Sequence, residues 1–393
     1  MRNIKVAVIG AGFIGKAHIE AIRRLGDADV AAVCHSSREK AEAFARALNI
    51  PKAYGDYMRL LEDEDIEAVH NCTPNHLHYE INRQALLQGK HVLSEKPLTM
   101  TSEEAKSLCE LARTKRLAAA VNFNYRQFPM VQQLRSMAKD GDFGAVRIVR
   151  GSYLQDWLLY ETDYNWRLEP EFGGPTRAIG DIGSHLFDLA QYVTGFRIAE
   201  VLADASTVVP VRYKPTDGGG TSFRSTASER RAPVRVQTED YCSVLVKFEN
   251  GARGVFTVSQ VSAGKKNALE IHLDGARASG CWQQEEPFRL RIGYRDRAAE
   301  TLSRDPSLLK PAAQPFVHYP GGHEEGWTDA MKNMMRHFYD AVGGSAPLPD
   351  SVATFEDGYR VMLLNEAIVR SARSGAWEKV PAFENEAVGG SVL

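Results

Sequence analysis

The segment IKVAVIGAGFIG, residues 4–15, decides the fold of this chain. The apolar run Ile4 to Ile9 predicts a buried β-strand, and the glycine-rich residues 10–15 predict a tight turn that leads into a helix. Glycines at Gly10, Gly12 and Gly15 would let the backbone approach a pyrophosphate at the positive end of that helix. A plain strand–helix turn is the alternative, but the strand–turn–helix setting favours a dinucleotide-binding site.

The residues that follow continue this pattern, because short apolar runs alternate with helical stretches. The further runs are Val30 to Cys34, Ala68 to Cys72, His91 to Leu93 and Leu117 to Phe123. The helical stretches are Arg38 to Leu48, His76 to Gln88 and Ser102 to Lys115, and Thr101 with Glu104 predicts a capping box for the third. Strands that are apolar throughout are typical of a parallel sheet covered on both faces. We expect residues 1–123 to form a doubly wound Rossmann domain that binds the dinucleotide.

The pattern changes after about residue 124. Runs with partial alternation predict longer strands at Arg147 to Leu154, Ala199 to Val208, Tyr241 to Phe248, Ala252 to Val261 and Ala268 to Leu273. Helices are predicted at Ser184 to Val193, Trp327 to Val342 and Val352 to Ser374, an irregular stretch at 295–325 and a mobile polar loop at Thr216 to Arg231. We expect residues 124–393 to form an α+β domain on a large, mostly antiparallel open sheet, with the final helix packing back on the first domain.

The composition excludes several classes of protein. The 393 residues carry a formal net charge of -2, and 44% of them are hydrophobic, which argues against a disordered chain. The 48 Lys+Arg residues against 50 Asp+Glu give none of the basic excess of a general nucleic-acid binder. No window approaches 18 uncharged apolar residues, so we expect no membrane span. The five cysteines are scattered and odd in number, which suggests free thiols in a reducing cytoplasm.

The end of the second predicted strand bears on the choice of dinucleotide. A carboxylate that binds the ribose is expected about 20 residues beyond the glycines, but the sequence there is Cys34-His35-Ser36-Ser37-Arg38. Without the acid, a 2′-phosphate would meet no repulsion, and the hydroxyl groups with Arg38 could bind it. In the alternative interpretation, a serine caps the next helix and Arg38 lies in solvent. The sequence therefore predicts NADP(H) as cofactor, alone or alongside NAD(H).

Two further segments carry side chains suited to catalysis. Lys96, in Glu95-Lys96-Pro97, follows the run His91 to Leu93 at the edge where open sheets bind ligands, and its ammonium could stabilise an alkoxide. Asp181 precedes a predicted helix that carries His185 in its first turn. A histidine takes a hydroxyl proton near neutral pH, and a carboxylate could orient it. In isolation, Lys96 also fits an exposed loop lysine, Asp181 a helix cap and His185 a core histidine.

In combination, the motifs resemble those of the Gfo/Idh/MocA oxidoreductases, which include glucose-fructose oxidoreductase and inositol dehydrogenases. They are the glycine turn, Thr73-Pro74-Asn75-His76-Leu77-His78, Glu95-Lys96-Pro97 and the segment from Asp181 to His185, in the family's order along almost the whole chain. The resemblance implies a Rossmann domain followed by a C-terminal domain whose open sheet often forms the oligomer interface. It also implies NAD(P)-dependent hydride transfer between the nicotinamide and a secondary hydroxyl or ketone of a sugar, glycoside or cyclitol.

The resemblance also implies roles for individual residues. Lys96 matches the catalytic lysine, His185 the histidine acid/base, and Asp181 the acidic partner that helps bind the reacting sugar. The residues expected at the cofactor are Gly10, Gly12, Phe13, Ile14, Gly15, Ser36, Ser37, Arg38, Thr73, Pro74, Asn75, His78, Glu95, Lys96, Asn124, Arg126, Trp166 and Arg167. Those expected at the substrate are Lys96, Arg126, Tyr153, Gln155, Asp156, Asp181, His185 and His323. Helix capping and a buried polar contact are the alternatives for Asn75 and His78, and a solvent-facing loop for His323.

Other functions remain open on the sequence. Some family members are NAD-dependent glycosidases that act by transient oxidation and elimination, and at least one relative is a non-catalytic regulator that senses dinucleotide. The presence of Lys96, Asp181 and His185 together argues against a regulator. We expect no metal, because the spacings of the histidines match no zinc motif. We expect a homodimer or homotetramer through the C-terminal sheet, because a sheet covered by helices on one face needs cover on the other.

Overall fold

The computed structural model describes residues 3–216 and 230–382. In the first part of the chain the strands are β1 (Ile4–Ile9), β2 (Ala28–Cys34), β3 (Lys52–Tyr54), β4 (Ala68–Asn71), β5 (His91–Ser94) and β6 (Ala119–Val121). The helices are α1 (Phe13–Arg23), α2 (Arg38–Leu48), α3 (Tyr57–Leu61), α4 (His78–Leu87) and α5 (Ser102–Lys115). The strands form one parallel sheet in the order β3-β2-β1-β4-β5-β6. The predicted doubly wound sheet is confirmed.

The strand order places the ligand-binding crevice. The chain moves outward from β1 to β3 and then returns to the other side of β1 with β4. Ligands of open α/β sheets bind at the carboxyl ends of the strands, at this point of reversal. The loops that follow β1, β4 and β5 all end there, and they carry the glycine turn, Thr73 and Lys96.

Local sequence explains where the helices of this half begin. The Thr101 hydroxyl accepts the backbone N–H of Glu104, and the Glu104 carboxylate accepts the backbone N–H of Thr101, so the predicted capping box is confirmed. The Ser37 hydroxyl accepts the backbone N–H of Lys40 and begins α2. The strand β3 was not predicted, because three half-buried residues make no recognisable apolar run.

In the second part of the chain the helices are α6 (Pro129–Lys139), α7 (Pro170–Gly173), α8 (Ser184–Thr194), α9 (Trp327–Val342) and α10 (Phe355–Ser374). The strands are β7 (Val146–Leu154), β8 (Ile198–Ser206), β9 (Val211–Pro215), β10 (Arg231–Arg235), β11 (Tyr241–Phe248), β12 (Arg253–Ser259), β13 (Ala268–Gly275), β14 (Ser279–Gln283), β15 (Arg289–Gly293), β16 (Glu300–Ser303) and β17 (Glu378–Lys379). Short 3₁₀ turns cover Asn75–Leu77, Asn124–Gln127, Trp166–Leu168 and Gln314–Phe316, and a π-helical turn covers Ile179–Gly183.

The second sheet has the order β16-β15-β14-β13-β7-β12-β11-β8-β17. Every pair in it is antiparallel except β7 with β12, so the predicted mostly antiparallel open sheet is confirmed. The strands β9 and β10 pair separately. The stretch 295–325, expected to be irregular, contains the edge strand β16, whose polar residues gave no strand signal. The loop expected at Thr216 to Arg231 lies almost wholly outside the described residues.

The last two long helices pack against the first sheet's helices. The guanidinium of Arg24, the residue that follows α1, donates to Asp329 on α9 at 2.6 Å. The hydroxyl of Ser102 on α5 donates to Glu366 on α10 at 2.8 Å. The final helix therefore contacts the first half of the chain. We propose that the chain divides into two domains at residues 123 and 124, between the last strand of the first sheet and the first strand of the second.

Candidate active site

The glycine turn after β1 has the geometry that a phosphate-binding loop requires. Gly10 has a φ of 99°, and a Cβ atom on it would lie 2.4 Å from the carbonyl oxygen of Cys72. A Cβ atom on Gly15 would lie 2.1 Å from the carbonyl oxygen of Gly10. A Cβ atom on Gly12 would meet nothing within 4 Å, and no side chain caps α1 there. The turn therefore leaves open space at an uncapped helix N-terminus, which fits the pyrophosphate of a dinucleotide.

A cavity of about 610 Å³ extends from this turn across the carboxyl ends of β2 and β3. Its lining includes Gly10, Ala11, Gly12, Cys34, His35, Ser36, Gly55, Asp56, Tyr57, Thr73 and Pro74. A second cavity, of about 350 Å³, lies at the ends of β4 and β5 and is lined by Lys96, Asp181 and His185 among others. Phe13, Ile14, Thr73, Trp166 and Arg167 line both. The two cavities are thus neighbouring parts of one cleft.

Lys96 and Asp181 form the central ion pair of the second cavity. The Lys96 ammonium donates to Asp181 Oδ1 at 2.6 Å and to the Asp181 carbonyl oxygen at 2.8 Å. The π-helical turn before α8 presents both acceptors. Gln260 Nε2 donates to Asp181 Oδ2 at 2.9 Å, and Arg167 Nε lies 3.5 Å from Oδ1. Burial alone would raise the pKa of Asp181, but the charges of Lys96 and Arg167 lower it, so the carboxylate is ionised.

His185 lies in the first turn of α8, on the wall of the same cavity. Its ring meets the edges of the Tyr125 and Phe123 rings, at centroid distances of 4.8 Å and 5.6 Å. Burial, and then the charge of Lys96, lower the pKa of His185 to about 3, so the imidazole is neutral. Its Nδ1 atom is buried and has no hydrogen-bond partner in the part of the chain that the structure describes. The ring is therefore in the form that has a free nitrogen lone pair, although the charge of Lys96 lowers its proton affinity.

A polar array forms another wall of the second cavity. Tyr125 and Tyr153 share a hydrogen bond of 2.7 Å between their hydroxyl groups. Tyr153 donates to Asn267 Oδ1 at 2.5 Å, and Asn267 Nδ2 donates to the Tyr125 hydroxyl at 3.0 Å. Gln155 Nε2 also donates to Asn267 Oδ1, at 3.0 Å. Aromatic faces with fixed hydroxyl and amide groups are suited to a polyhydroxylated ring, whose C–H surfaces stack and whose hydroxyl groups bond.

Several side chains hold the loops of the cleft together. The Nδ1 atom of His78 faces the carbonyl oxygen of Pro97 at 2.7 Å, and its Nε2 atom faces that of Thr73 at 2.9 Å. Asn75 Nδ2 donates to the carbonyl oxygen of Gly173 at 2.8 Å. Both residues line the second cavity, but these bonds also match the alternative interpretation, in which their role is structural.

The structure brings most of the expected site residues to the cleft. Those that line one or both cavities are Gly10, Gly12, Phe13, Ile14, Ser36, Thr73, Pro74, Asn75, His78, Glu95, Lys96, Asn124, Tyr153, Gln155, Trp166, Arg167, Asp181 and His185. Their roles toward cofactor and substrate stay predictions. Gly15 lies one residue beyond the lining and serves the turn itself.

Two residues expected to bind a 2′-phosphate are placed elsewhere. The Ser37 hydroxyl caps α2, and the Arg38 guanidinium donates to Glu42 at 2.6 Å on the exposed side of that helix. Neither residue lines the cavity beside β2. A helix cap and an i,i+4 ion pair engage these side chains locally, and their roles toward a 2′-phosphate stay predictions.

Three residues expected at the substrate also lie outside the cleft lining. Arg126 is buried against Asp188, with Nε 2.8 Å from Oδ2, and its guanidinium stacks on the Tyr192 ring. Asp156 is paired with Lys266 at 2.7 Å, and only the lysine reaches the cavity. His323 is exposed in its loop, as in the alternative interpretation. The three residues therefore do not line the cleft, and their roles toward the substrate stay predictions.

The sequence interpretation missed several residues of the cleft. Asn122, Asn267 and Gln284 line the second cavity, and Asp56 with Tyr57 lines the first. Asp56 follows β3, the strand that was not predicted, so no signal pointed to it. Lys266 and Asn267 lie in the connection between β12 and β13, where no motif marked them. Trp327 begins α9, and its approach to Phe13, with ring centroids 6.4 Å apart, depends on the tertiary fold.

Within residues 3–216 and 230–382, no group of three or more His, Cys, Asp or Glu side chains is placed to hold a metal ion. Over the same ranges, no helix combines the length and apolar character needed to cross a membrane.

Comparison with known proteins places the chain among oxidoreductases. The model of an oxidoreductase family with an NAD-binding Rossmann fold matches residues 4–123, and the GFO/IDH/MocA C-terminal domain matches residues 131–279. Levoglucosan dehydrogenase of Pseudarthrobacter phenanthrenivorans is 30% identical over 404 residues, 97% of this chain and 99% of that protein. D-glucoside 3-dehydrogenase of Escherichia coli is 33% identical over 381 residues, 95% and 96% of the two chains. A solved levoglucosan dehydrogenase, in complex with NADH and levoglucosan, has a TM-score of 0.86 at 28% identity and covers 97% of this chain and 100% of that chain.

Proposed function

The chain belongs to the Gfo/Idh/MocA family of NAD-binding oxidoreductases, and we propose that it oxidises a secondary hydroxyl group on the ring of a sugar, glycoside or cyclitol. The observation that carries the proposal is the second cavity, where Lys96, Asp181 and His185 meet next to the glycine turn. The names of the relatives, a levoglucosan dehydrogenase and a D-glucoside 3-dehydrogenase, support a cyclic sugar or glycoside as substrate.

NAD, when bound, supplies the hydride acceptor. Lys96 supplies positive charge at the reacting oxygen. An ammonium group has three N–H donors, and Asp181 accepts two of them, one at Oδ1 and one at its carbonyl oxygen. The third has no partner among the described residues and remains for the substrate oxygen. As that oxygen loses its proton, the fixed ammonium stabilises the alkoxide.

His185 receives the hydroxyl proton. Its low pKa keeps it neutral, and the neutral ring is the form that can accept a proton. Negative charge that develops on the substrate oxygen favours the imidazolium, because the two opposite charges are held together away from water. Asp181 stays ionised and holds Lys96 in place, so we assign it a positioning role and not that of the base.

The charges of the second cavity favour an uncharged ring. Lys96 and Arg167 are both paired with Asp181, and Lys266 is paired with Asp156. The array of Tyr125, Tyr153 and Asn267 offers only neutral groups. A phosphorylated sugar would need a cation that is not already engaged by a carboxylate. We therefore propose neutral sugars, glycosides or cyclitols as substrates, ahead of sugar phosphates.

For the cofactor we propose NAD ahead of NADP. The family model is that of an NAD-binding fold. The guanidinium expected to bind a 2′-phosphate, that of Arg38, is engaged by Glu42 outside the cavity. Asp56 lines the same cavity beside His35 and Ser36. Its carboxylate caps α3 by accepting the backbone N–H of Met58, and its negative charge would repel a phosphate there.

A screen tests the proposed reaction. Neutral sugars, anhydrosugars, glycosides and inositols, together with the matching sugar phosphates, are incubated with NAD and the purified protein. We expect reduced cofactor to accumulate, by absorbance, with at least one neutral ring and only weakly with its phosphate. Release of aglycone from a glycoside without net reduction of NAD would contradict the proposal in favour of elimination. Cofactor binding without turnover on any ring would contradict it in favour of a sensor.

We also propose a homodimer or homotetramer that forms through the second sheet. The helices α6, α8 and α10 cover one face of that sheet. On the other face, Ile148, Leu245 and Val255 are 45%, 46% and 37% exposed, and Leu245 is directly opposite Val255 on neighbouring strands. An apolar patch of this kind on a sheet face is suited to a second copy of the chain.

The five cysteines are all unpaired, which is in keeping with the predicted cytoplasmic location.

A further inference from the structure

Four buried side chains form a continuous hydrogen-bonded chain behind the second cavity. Glu95 Oε1 lies 2.9 Å from His18 Nε2, and His18 Nδ1 lies 2.7 Å from His70 Nδ1. His70 Nε2 lies 2.5 Å from the hydroxyl oxygen of Tyr339. The four residues come from four places in the fold: the loop after β5, α1, β4 and α9. We call this set the Glu95–Tyr339 chain, and the proposed reaction uses neither His18, His70 nor Tyr339.

The positions of the hydrogens in this chain can be deduced. A neutral imidazole has one donor and one acceptor nitrogen. The Glu95 carboxylate only accepts, so His18 Nε2 carries a hydrogen, and Nδ1 of a neutral His18 must then accept from His70 Nδ1. His70 Nε2 in turn accepts the Tyr339 hydroxyl hydrogen. Every donor is satisfied, and both histidines are neutral.

The alternative is a charged His18 with the bonds reversed. His18 Nδ1 would then donate to His70, and His70 would donate to the oxygen of Tyr339. The Tyr339 hydroxyl hydrogen would have no acceptor among the described residues, although the side chain is only 2% exposed. An unsatisfied buried hydroxyl and a buried cation are both costly. Burial also lowers the pKa of His70 and raises that of Tyr339, which agrees with the neutral arrangement.

The neutral arrangement leaves the charge of Glu95 intact. Its Oε1 accepts from His18 and, at 2.6 Å, from Asn122 Nδ2, and its Oε2 accepts the backbone N–H of Lys96 at 3.3 Å. Burial would raise the pKa of Glu95, but the hydrogen bond from His18, the charge of Lys96 and the hydrogen bond from Asn122, none of which needs a charged His18, all lower it. Among the described residues, no lysine or arginine side chain pairs with Glu95, because Asp181 engages Lys96.

We propose that the Glu95–Tyr339 chain holds an ionised carboxylate beside the nicotinamide end of the cleft, so that the protein binds cationic NAD+ more tightly, relative to neutral NADH, than it would without that charge. Glu95 lines the cavity with Ile14, Thr73 and Asn122, on the side continuous with the glycine turn. Oxidation of NADH creates a positive charge on the nicotinamide ring, and a fixed negative charge stabilises only the oxidised form. His18, His70 and Tyr339 are positioning residues, because they act through Glu95.

The test measures the dissociation constants of NAD+ and NADH separately, by calorimetry, on the full-length protein without substrate. We expect Glu95→Gln to weaken NAD+ relative to NADH by about tenfold, the size of one charge acting over several ångströms at a partly buried site. Tyr339→Phe removes the hydroxyl that would be left without an acceptor if His18 were charged. His18 could then take up a proton and offset the charge of Glu95, so NAD+ binding should weaken relative to NADH binding by at least about twofold. The matched control is Tyr192→Phe, which removes a buried hydroxyl bonded to Gln132 outside the cleft and should leave the ratio unchanged.

A purely structural role for the chain predicts a different result. Misplaced side chains would weaken both forms of the cofactor equally, and an unchanged ratio in Glu95→Gln would overturn the proposal. Should that variant fail to fold, the ratio in Tyr339→Phe against Tyr192→Phe decides alone, and equal ratios would overturn it. The inference rests on NAD binding and not on sugar oxidation, so the absence of turnover would leave this measurement unaffected.

Discussion

His185 shows how its surroundings set the chemistry of a single residue. The ring is 7% exposed, and its burial, followed by the charge of Lys96, disfavours its charged form. The sequence suggested a histidine base near neutral pH, which is the behaviour of an exposed ring. The structure instead predicts a base that is neutral at pH 7, because its pKa is about 3. Its proton affinity then depends on the charge that develops on the substrate.

This environment predicts a pH dependence of stability. The pKa of His185 falls from 6.5 in the unfolded chain to about 3 in the folded protein, so between these values the unfolded chain binds more protons. Folding stability is therefore lost as the pH falls through that window, by on the order of 2 kcal/mol at about pH 4.5 from this residue. We expect the loss of Tm between pH 7 and about pH 4.5 to be smaller in His185→Gln than in the wild type. Equal losses would contradict a buried neutral His185.

Arg38 and Asp56 show that the position and local partners of a charged side chain determine whether it can interact with the cofactor. We expect kcat/KM with NAD to exceed that with NADP by roughly tenfold or more, because the Asp56 carboxylate lines the cavity and Arg38 does not. Arg38→Ala should leave the ratio unchanged, whereas Asp56→Asn should lower it. A preference for NADP that Arg38→Ala abolishes would show that this arginine reaches the cofactor.

At the scale of elements, the sequence predicts what local chemistry determines. Periodicity and capping located α2, α5 and α9 to the residue, and the glycine turn marked the start of α1. The short strands β3, β16 and β17 gave no signal, because their pairing partners and not their own residues make them strands. Several site residues were missed for the same reason. Asn267 and Asp56 lie in loops, and their side chains reach the cleft only because strands distant in sequence pair in the folded protein.

The glycine turn gives a prediction about an element. Gly12→Ala adds a methyl group that meets no protein atom, at a backbone conformation that alanine adopts, so the free protein should keep its Tm. The same methyl group would project into the space for the pyrophosphate and should weaken NADH binding by roughly tenfold or more. Gly10→Ala, in contrast, should lower Tm, because its φ is 99° and its Cβ atom would meet Cys72. Unchanged NADH binding in Gly12→Ala would argue against this turn as the cofactor site.

At the scale of the whole molecule, one face of the second sheet exposes apolar side chains, and we propose that a second copy of the chain covers it. We expect light scattering at micromolar concentration to give a dimer or a tetramer. Leu245→Asp should lower the mass, because it places a charge in the centre of the apolar patch. The control is Leu87→Asp on α4, at a leucine that is 39% exposed and far from that face in the fold, and its mass should not change. A monomeric wild type would contradict the proposed assembly.

The central claim is that the cleft oxidises a ring hydroxyl with Lys96 at the reacting oxygen. The most direct test is the rate of NAD reduction, with the best neutral ring from the screen, in the wild type, in Lys96→Met and in Lys52→Met. Lys52 is the matched control. Like Lys96 it is paired with carboxylates, in its case Asp63 and Asp65, but it lies outside the cleft. We predict that kcat falls by about 10²–10⁴-fold in Lys96→Met and stays near the wild-type value in Lys52→Met. Near-wild-type turnover in Lys96→Met, with bound NAD, would contradict the account.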